Sequence, residues 1–81
     1  MVKSYKVIPF IFNAGKFGLA VRLKIDNVNI TQEDVAGMAG ISDTTVSRIA
    51  SGLHANIEMN TFLGICNALD LNALDYLELA E

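Results

Sequence analysis

The most regular patterning in the chain runs from Thr31 to Gly52. Val35, Ala36 and Ala39 recur at helical spacing, and Val46, Ile49 and Ala50 do so again further on. Between the two stripes lies Met38-Ala39-Gly40-Ile41-Ser42. Gly40 can adopt a positive φ without steric cost, so the first helix can stop there and the chain can turn sharply. Ser42 is suited to cap the second helix by accepting a backbone N–H. Thr31 does the same for the first, and Asp34, three residues on, is close to a capping box. Gly52 closes the second helix. Ala36 is the small side chain that a close crossing needs, and Ile41 is an apolar plug for the turn. The pattern predicts two short helices joined by a tight turn.

The flanks read differently. Residues 2–12 alternate Tyr5, Val7 and Ile11 with Ser4, Lys6, Ile8, Phe10 and Phe12, and are rich in β-branched and aromatic residues, which predicts a strand. Pro9 restricts it to an edge or a bulge. No second strand is visible, so its backbone groups need a partner from elsewhere or water. Three readings stand open. The strand pairs with a second copy through Tyr5, Val7, Ile8, Phe10 and Phe12; it is an extended arm whose Phe10 and Phe12 cover the core of its own chain; or it orders on a ligand. Asn13 can cap a helix from Ala14 to Asp26, with Phe17, Ala20, Val21 and Lys24 in one row and Leu19 and Leu23 in the next; Gly15 and Gly18 weaken its start. Asn27 to Asn29 read as a loop, with Ile30 as an apolar staple before Thr31. Beyond Gly52, Leu53 to Asn56 read as a loop whose Asn56 caps a helix over 57–69, its inward face Met59, Phe62, Leu63, Cys66 and Leu69. Asn72 with Asp75 opens a last helix to Leu79, with Leu71, Leu74 and Leu77 inward and Asp75, Glu78 and Glu81 outward. The expected architecture is all-α: a compact five-helix domain over 14–81, preceded by a short β-strand or extended arm over 1–13.

The central pair has the layout of a helix-turn-helix. Gln32, Val35-Ala36, Gly40, Ile41, Val46-Ser47-Arg48-Ile49 and Gly52 together resemble the Cro/C1-type (XRE-like) family, whose members have a lambda-repressor-like fold. The run from Asn60 to Leu77 resembles the family's closing helices, so the likeness covers roughly 16–78 and leaves the first 15 residues outside. Three departures are visible. Ala50 stands where the family often has a Glu paired to the first helix. A Pro common near Ile57 is absent. The basic loop after Gly52 is replaced by Leu53-His54-Ala55. These leave the fold intact and weaken the expected hold on phosphates.

Composition sharpens this picture. Eighty-one residues make one domain with a modest core. Hydrophobic residues at 52% exceed what so small a core hides, which points to self-association. A net charge of −3 argues at first against nucleic acid. The distribution argues back: all six cations precede residue 49, against four acids up to residue 54, and the remaining five acids follow without a Lys or Arg. A basic face and an acidic tail can coexist, although so few cations neutralise few phosphates and predict a shallow salt dependence. One Cys and one His supply no metal set, no disulfide and no catalytic triad. No cofactor, membrane segment or small-molecule ligand is implied, and the expected location is the cytoplasm.

The resemblance implies a partner, double-stranded DNA, with the second helix (about 42–51) in the major groove. Ser42, Asp43, Thr44, Ser47 and Arg48 are then the base-facing residues. Arg48 suits guanine O6 and N7, and Thr44 a thymine methyl or a hydrogen bond. Asp43 either accepts from cytosine N4 or favours the helix dipole and repels wrong sequences. Thr31, Gln32, Thr45, Ser51 and Asn56 are candidate phosphate contacts, Asn56 through the start of the helix it caps. Arg22 and Lys24 either face a phosphate backbone or lie on a solvated face. The expected function is a non-enzymatic, homodimeric transcription regulator of phage or prophage repressor type on a pseudo-palindromic operator. The alternative is a protein-interaction module of the same fold, an antitoxin or anti-repressor partner.

Overall fold

The computed structural model describes residues 10–79. Its elements are strand β1 (Phe10–Phe12), helices α1 (Ala14–Val28), α2 (Gln32–Ala39), α3 (Asp43–Ala50) and α4 (Met59–Leu69), a 3-10 turn (Ala73–Tyr76) and strand β2 (Leu77–Leu79). The class is the expected helical one, with four α-helices rather than five.

The missing fifth helix supplies the missing second strand. β1 and β2 pair antiparallel, Phe10 opposite Leu79, Ile11 opposite Glu78 and Phe12 opposite Leu77. The leucine spacing from Leu71 to Leu77 reads as helical, but Leu74 is 69% exposed and Tyr76 is the buried residue. Asn72 Oδ1 caps a single turn by accepting from the Leu74 N–H. Leu77-Glu78-Leu79 then alternates with period two, and β1 offers it a hydrogen-bonded ladder that a fraying last helical turn cannot match. Asn13 ties this ribbon to α1. Its backbone N–H donates to the Tyr76 carbonyl at 2.8 Å. Its Oδ1 accepts from the Lys16 N–H at 2.9 Å, and its Nδ2 donates to Glu78 Oε2 at 3.1 Å.

Three helices end in one motif. Asn29, Gly40 and Asp70 all sit in the left-handed region, at φ 56°, 71° and 55°. The residue after each donates back across six residues: Ile30 to Ile25, Ile41 to Ala36 and Leu71 to Cys66. Ile30, Ile41 and Leu71 are each partly buried on the core, the apolar contact that goes with this cap. The loop expected at Asn27 to Asn29 is thus shorter: Asn27 and Val28 are helical and only Asn29 turns. α2 opens with a full capping box, Thr31 Oγ1 accepting from the Asp34 N–H and Asp34 Oδ2 from the Thr31 N–H. α4 starts two residues later than its pattern suggested, after Glu58, so Asn56 lies in the preceding turn and does not cap it.

The core joins Phe17 and Val21 of α1, Val35 and Ala36 of α2, Val46, Ile49 and Ala50 of α3, Phe62, Ile65, Cys66 and Leu69 of α4, and Tyr76. Phe12, Phe17, Phe62 and Tyr76 form an edge-to-face cluster with centroids 4.9 to 5.6 Å apart. On α4, Ile65 rather than Met59 or Leu63 takes the inner position; the latter two are 62% and 46% exposed. Gly18 does more than weaken α1. A Cβ there would stand 2.6 Å from the Ile49 carbonyl oxygen and 2.8 Å from Gly52 Cα, so its absence lets α1 touch the end of α3. Cys66 is buried and unpaired, and burial raises its thiol pKa above the usual value. Among the described residues no helix is long and apolar enough to cross a membrane.

Candidate nucleic-acid interface

The helix-turn-helix presents an open groove of about 750 Å³ between the start of α2 and the outer face of α3. Its construction follows from two periodicities. Val46, Ile49 and Ala50 take α3 into the core, which turns Asp43, Thr44, Ser47, Arg48 and Ser51 outward at the complementary steps. The Gly40 turn and the Ser42 cap then set the start of α3 beside the first turn of α2, so Thr31, Gln32 and Glu33 complete the lining.

Seven of the sequence-predicted DNA residues therefore meet in one groove: Thr31, Gln32, Asp43, Thr44, Ser47, Arg48 and Ser51. The other three stand apart from the lining. Ser42 Oγ accepts from the Thr45 N–H at 3.2 Å and lies 2.9 Å from Thr45 Oγ1, so each engages the other at the cap. Thr45 is half-buried. Asn56 is exposed in the turn before α4. Ser51 lines the groove with its hydroxyl already occupied, donating to the Arg48 carbonyl and accepting from the Leu53 N–H. Glu33 is the lining residue that sequence reasoning missed. The available signal was its place in the first turn of α2, next to Gln32.

The groove carries little positive charge. The lining holds one guanidinium, Arg48, against two carboxylates, Glu33 and Asp43. Asp43 takes no part in the α3 cap, which Ser42 makes alone, whereas Asp34 is consumed by its capping box. Of the candidate dimerisation residues, Tyr5, Val7 and Ile8 lie outside the described residues. Phe10 is 62% exposed, while Phe12 packs edge-to-face on Phe17 and Phe62 of its own chain. Among the described residues no group of His, Cys, Asp and Glu could hold a metal ion.

Known proteins share this fold. No curated protein matches the chain in sequence. Solved structures match its fold. The restriction-modification controller protein C.AhdI from Aeromonas hydrophila is 24% identical with a TM-score of 0.67, over 78% of this chain and 94% of that one. SinR, a master regulator for biofilm formation solved in complex with DNA, is 17% identical with a TM-score of 0.64, over 72% and 92%. A chain of the HipA-HipB-O2-O3 complex is 24% identical with a TM-score of 0.64, over 89% and 90%. The helix-turn-helix family model matches residues 21–77, most of the chain and the whole of the groove just described. By that match the protein belongs to the Cro/C1-type, XRE-like helix-turn-helix family of DNA-binding regulators.

Proposed function

We propose that the protein is a sequence-specific double-stranded DNA-binding transcription regulator of phage or prophage repressor type, acting in the cytoplasm as a homodimer on a pseudo-palindromic operator. The observation that carries this is the outer face of α3. Thr44, Ser47 and Arg48 point into one open groove beside the first turn of α2. That is the surface a second helix lays in the major groove, while the first helix crosses the backbone. Arg48 reads guanine through its two-donor fork, Thr44 and Ser47 make shorter contacts, and Ser42 and Asp43 meet bases at the helix start. Thr31, Gln32, Thr45 and Ser51 serve the phosphates. Control is by occupancy of a promoter, with no chemical step.

Dimerisation is assigned to the N-terminal strand. One edge of β1 is taken by β2, so a second copy meets the other edge of the ribbon, with Phe10 as its most exposed described side chain. Phe10→Glu puts a charge on that edge, spares the aromatic cluster that Phe12 joins, and yields a folded monomer by sedimentation. A variant that remains a dimer would move the interface elsewhere.

Selection of bound duplexes from a random pool at low salt tests the main reading, with wild type and Arg48→Ala in parallel. A two-fold-symmetric consensus that loses a guanine preference in the variant is the expected result. A second reading draws on the groove's excess of carboxylates and the net charge of −3: a protein-interaction module of antitoxin or anti-repressor type. In that case folded wild type enriches no duplex, and Arg48→Ala with Thr44→Ala leaves affinity for the protein partner intact.

A further inference from the structure

A DNA-facing groove gains most of its sequence-independent affinity from cations that displace counterions. This one has a single guanidinium and two carboxylates. A carboxylate near phosphates lowers affinity for every sequence, unless a base offers it a donor.

The two acids are not equivalent. Glu33 lies in the first turn of α2, the helix that crosses the backbone in this docking mode, so it faces phosphates. Asp43 is the first residue of α3, the end that enters the major groove, so it faces base edges. Its carboxylate is left free by the cap, because Ser42 Oγ alone satisfies the Thr45 N–H.

A free carboxylate only accepts hydrogen bonds. In the major groove guanine presents N7 and O6, both acceptors, and thymine presents O4; all three repel it. Adenine presents the N6 amino donor with the N7 acceptor beside it, so one carboxylate oxygen gains what the other loses. Cytosine presents the N4 amino group with no acceptor of its own in the groove. Asp43 therefore ranks cytosine first.

Arg48 lines the same groove further along α3. We propose that Asp43 is a specificity-determining residue that selects a cytosine amino group, at a different base pair from the guanine read by Arg48, while Glu33 lowers affinity for all sequences alike. This rests on the DNA-binding reading above and names the operator chemistry it requires.

The test repeats the duplex selection with the full chain and two variants, Asp43→Asn and Glu33→Gln, each checked for folding by circular dichroism. Both remove one negative charge and keep the size of the side chain, so only readout separates them. Asparagine pairs with adenine N6 and N7, so Asp43→Asn changes one position of the consensus from cytosine to adenine and keeps the guanine. Glu33→Gln keeps the whole consensus and raises affinity for every duplex about two- to three-fold at low salt, the effect of one charge roughly 7 Å from a phosphate in water. If Asp43→Asn selects the wild-type consensus with uniformly higher affinity, Asp43 acts only as a charge and the proposal is overturned. Folded wild-type protein that enriches nothing overturns the DNA-binding reading, and this proposal with it.

Discussion

Replacing Gly18 by Ala sets two opposing effects against each other, and the structure decides the winner. Glycine inside a helix is worse than alanine by about 1 kcal/mol, so on propensity alone the change stabilises α1. The new Cβ, however, would lie 2.6 Å from the Ile49 carbonyl oxygen and 2.8 Å from both the N and the Cα of Gly52. Ordinary contact begins near 3.4 Å, so α1 and the end of α3 must part by roughly 0.8 Å. All three atoms are backbone, so no rotamer change relieves the clash. Overpacking of this kind costs about 1–3 kcal/mol, at the upper end where backbone must move. The net expectation is a loss of about 2 kcal/mol, or about 10 °C in melting temperature for a domain of this size. Gly15→Ala is the control, because a Cβ there meets only Asn13 Oδ1 at 3.7 Å. It gains about 0.5–1 kcal/mol. Urea and thermal unfolding followed by circular dichroism read both variants. If Gly18→Ala is as stable as wild type or more so, the close crossing of α1 on α3 is wrong.

Three further outcomes follow from local structure. Asp34→Ala removes half of the α2 capping box and lowers stability by about 1 kcal/mol in urea melts; an unchanged midpoint would mean that the Thr31 cap suffices alone. Asp70→Gly relieves a left-handed φ of 55° and raises stability by about 0.5–1 kcal/mol, provided the bond from the Leu71 N–H to the Cys66 carbonyl persists; a loss would show that the Asp70 side chain does more than turn the chain. Burial raises the Cys66 thiol pKa from its ordinary 9.0, and burial, with the charge of Asp75 and Cys66 behind it, raises the Tyr76 phenol from 10.0. The unfolded chain then releases these protons before the folded one does, so stability is full below about pH 9 and falls as pH rises beyond it. Urea midpoints at pH 7, 9 and 10 should decline in that order and flatten in part with Cys66→Ala; a constant midpoint contradicts the assignment.

What could be read from the chain alone was local. The stripes of α2 and α3, the glycine between them, and the Ser42 and Thr31 caps are all set within a few residues, where backbone geometry and side-chain reach leave few options. Because α3 buries Val46, Ile49 and Ala50, its outward residues follow by complement, and most of the groove was legible for that reason. Tertiary structure decided the rest. Leu77-Glu78-Leu79 fits a helix or a strand equally well by pattern, and only the presence of β1, 65 residues earlier in the chain at the Asn13–Glu78 contact, turns it into a strand. Met59 and Leu63 looked as apolar as Ile65, but the direction from which α1 and α2 approach α4 chose Ile65 for the core. Gly18 looked like a weak helix position because the need for its missing Cβ arises from α3, a different element. Glu33 joined the groove because the Gly40 turn folds the first turn of α2 against α3, and which side chains that nearness gathers is a property of packing, settled only when all the faces meet.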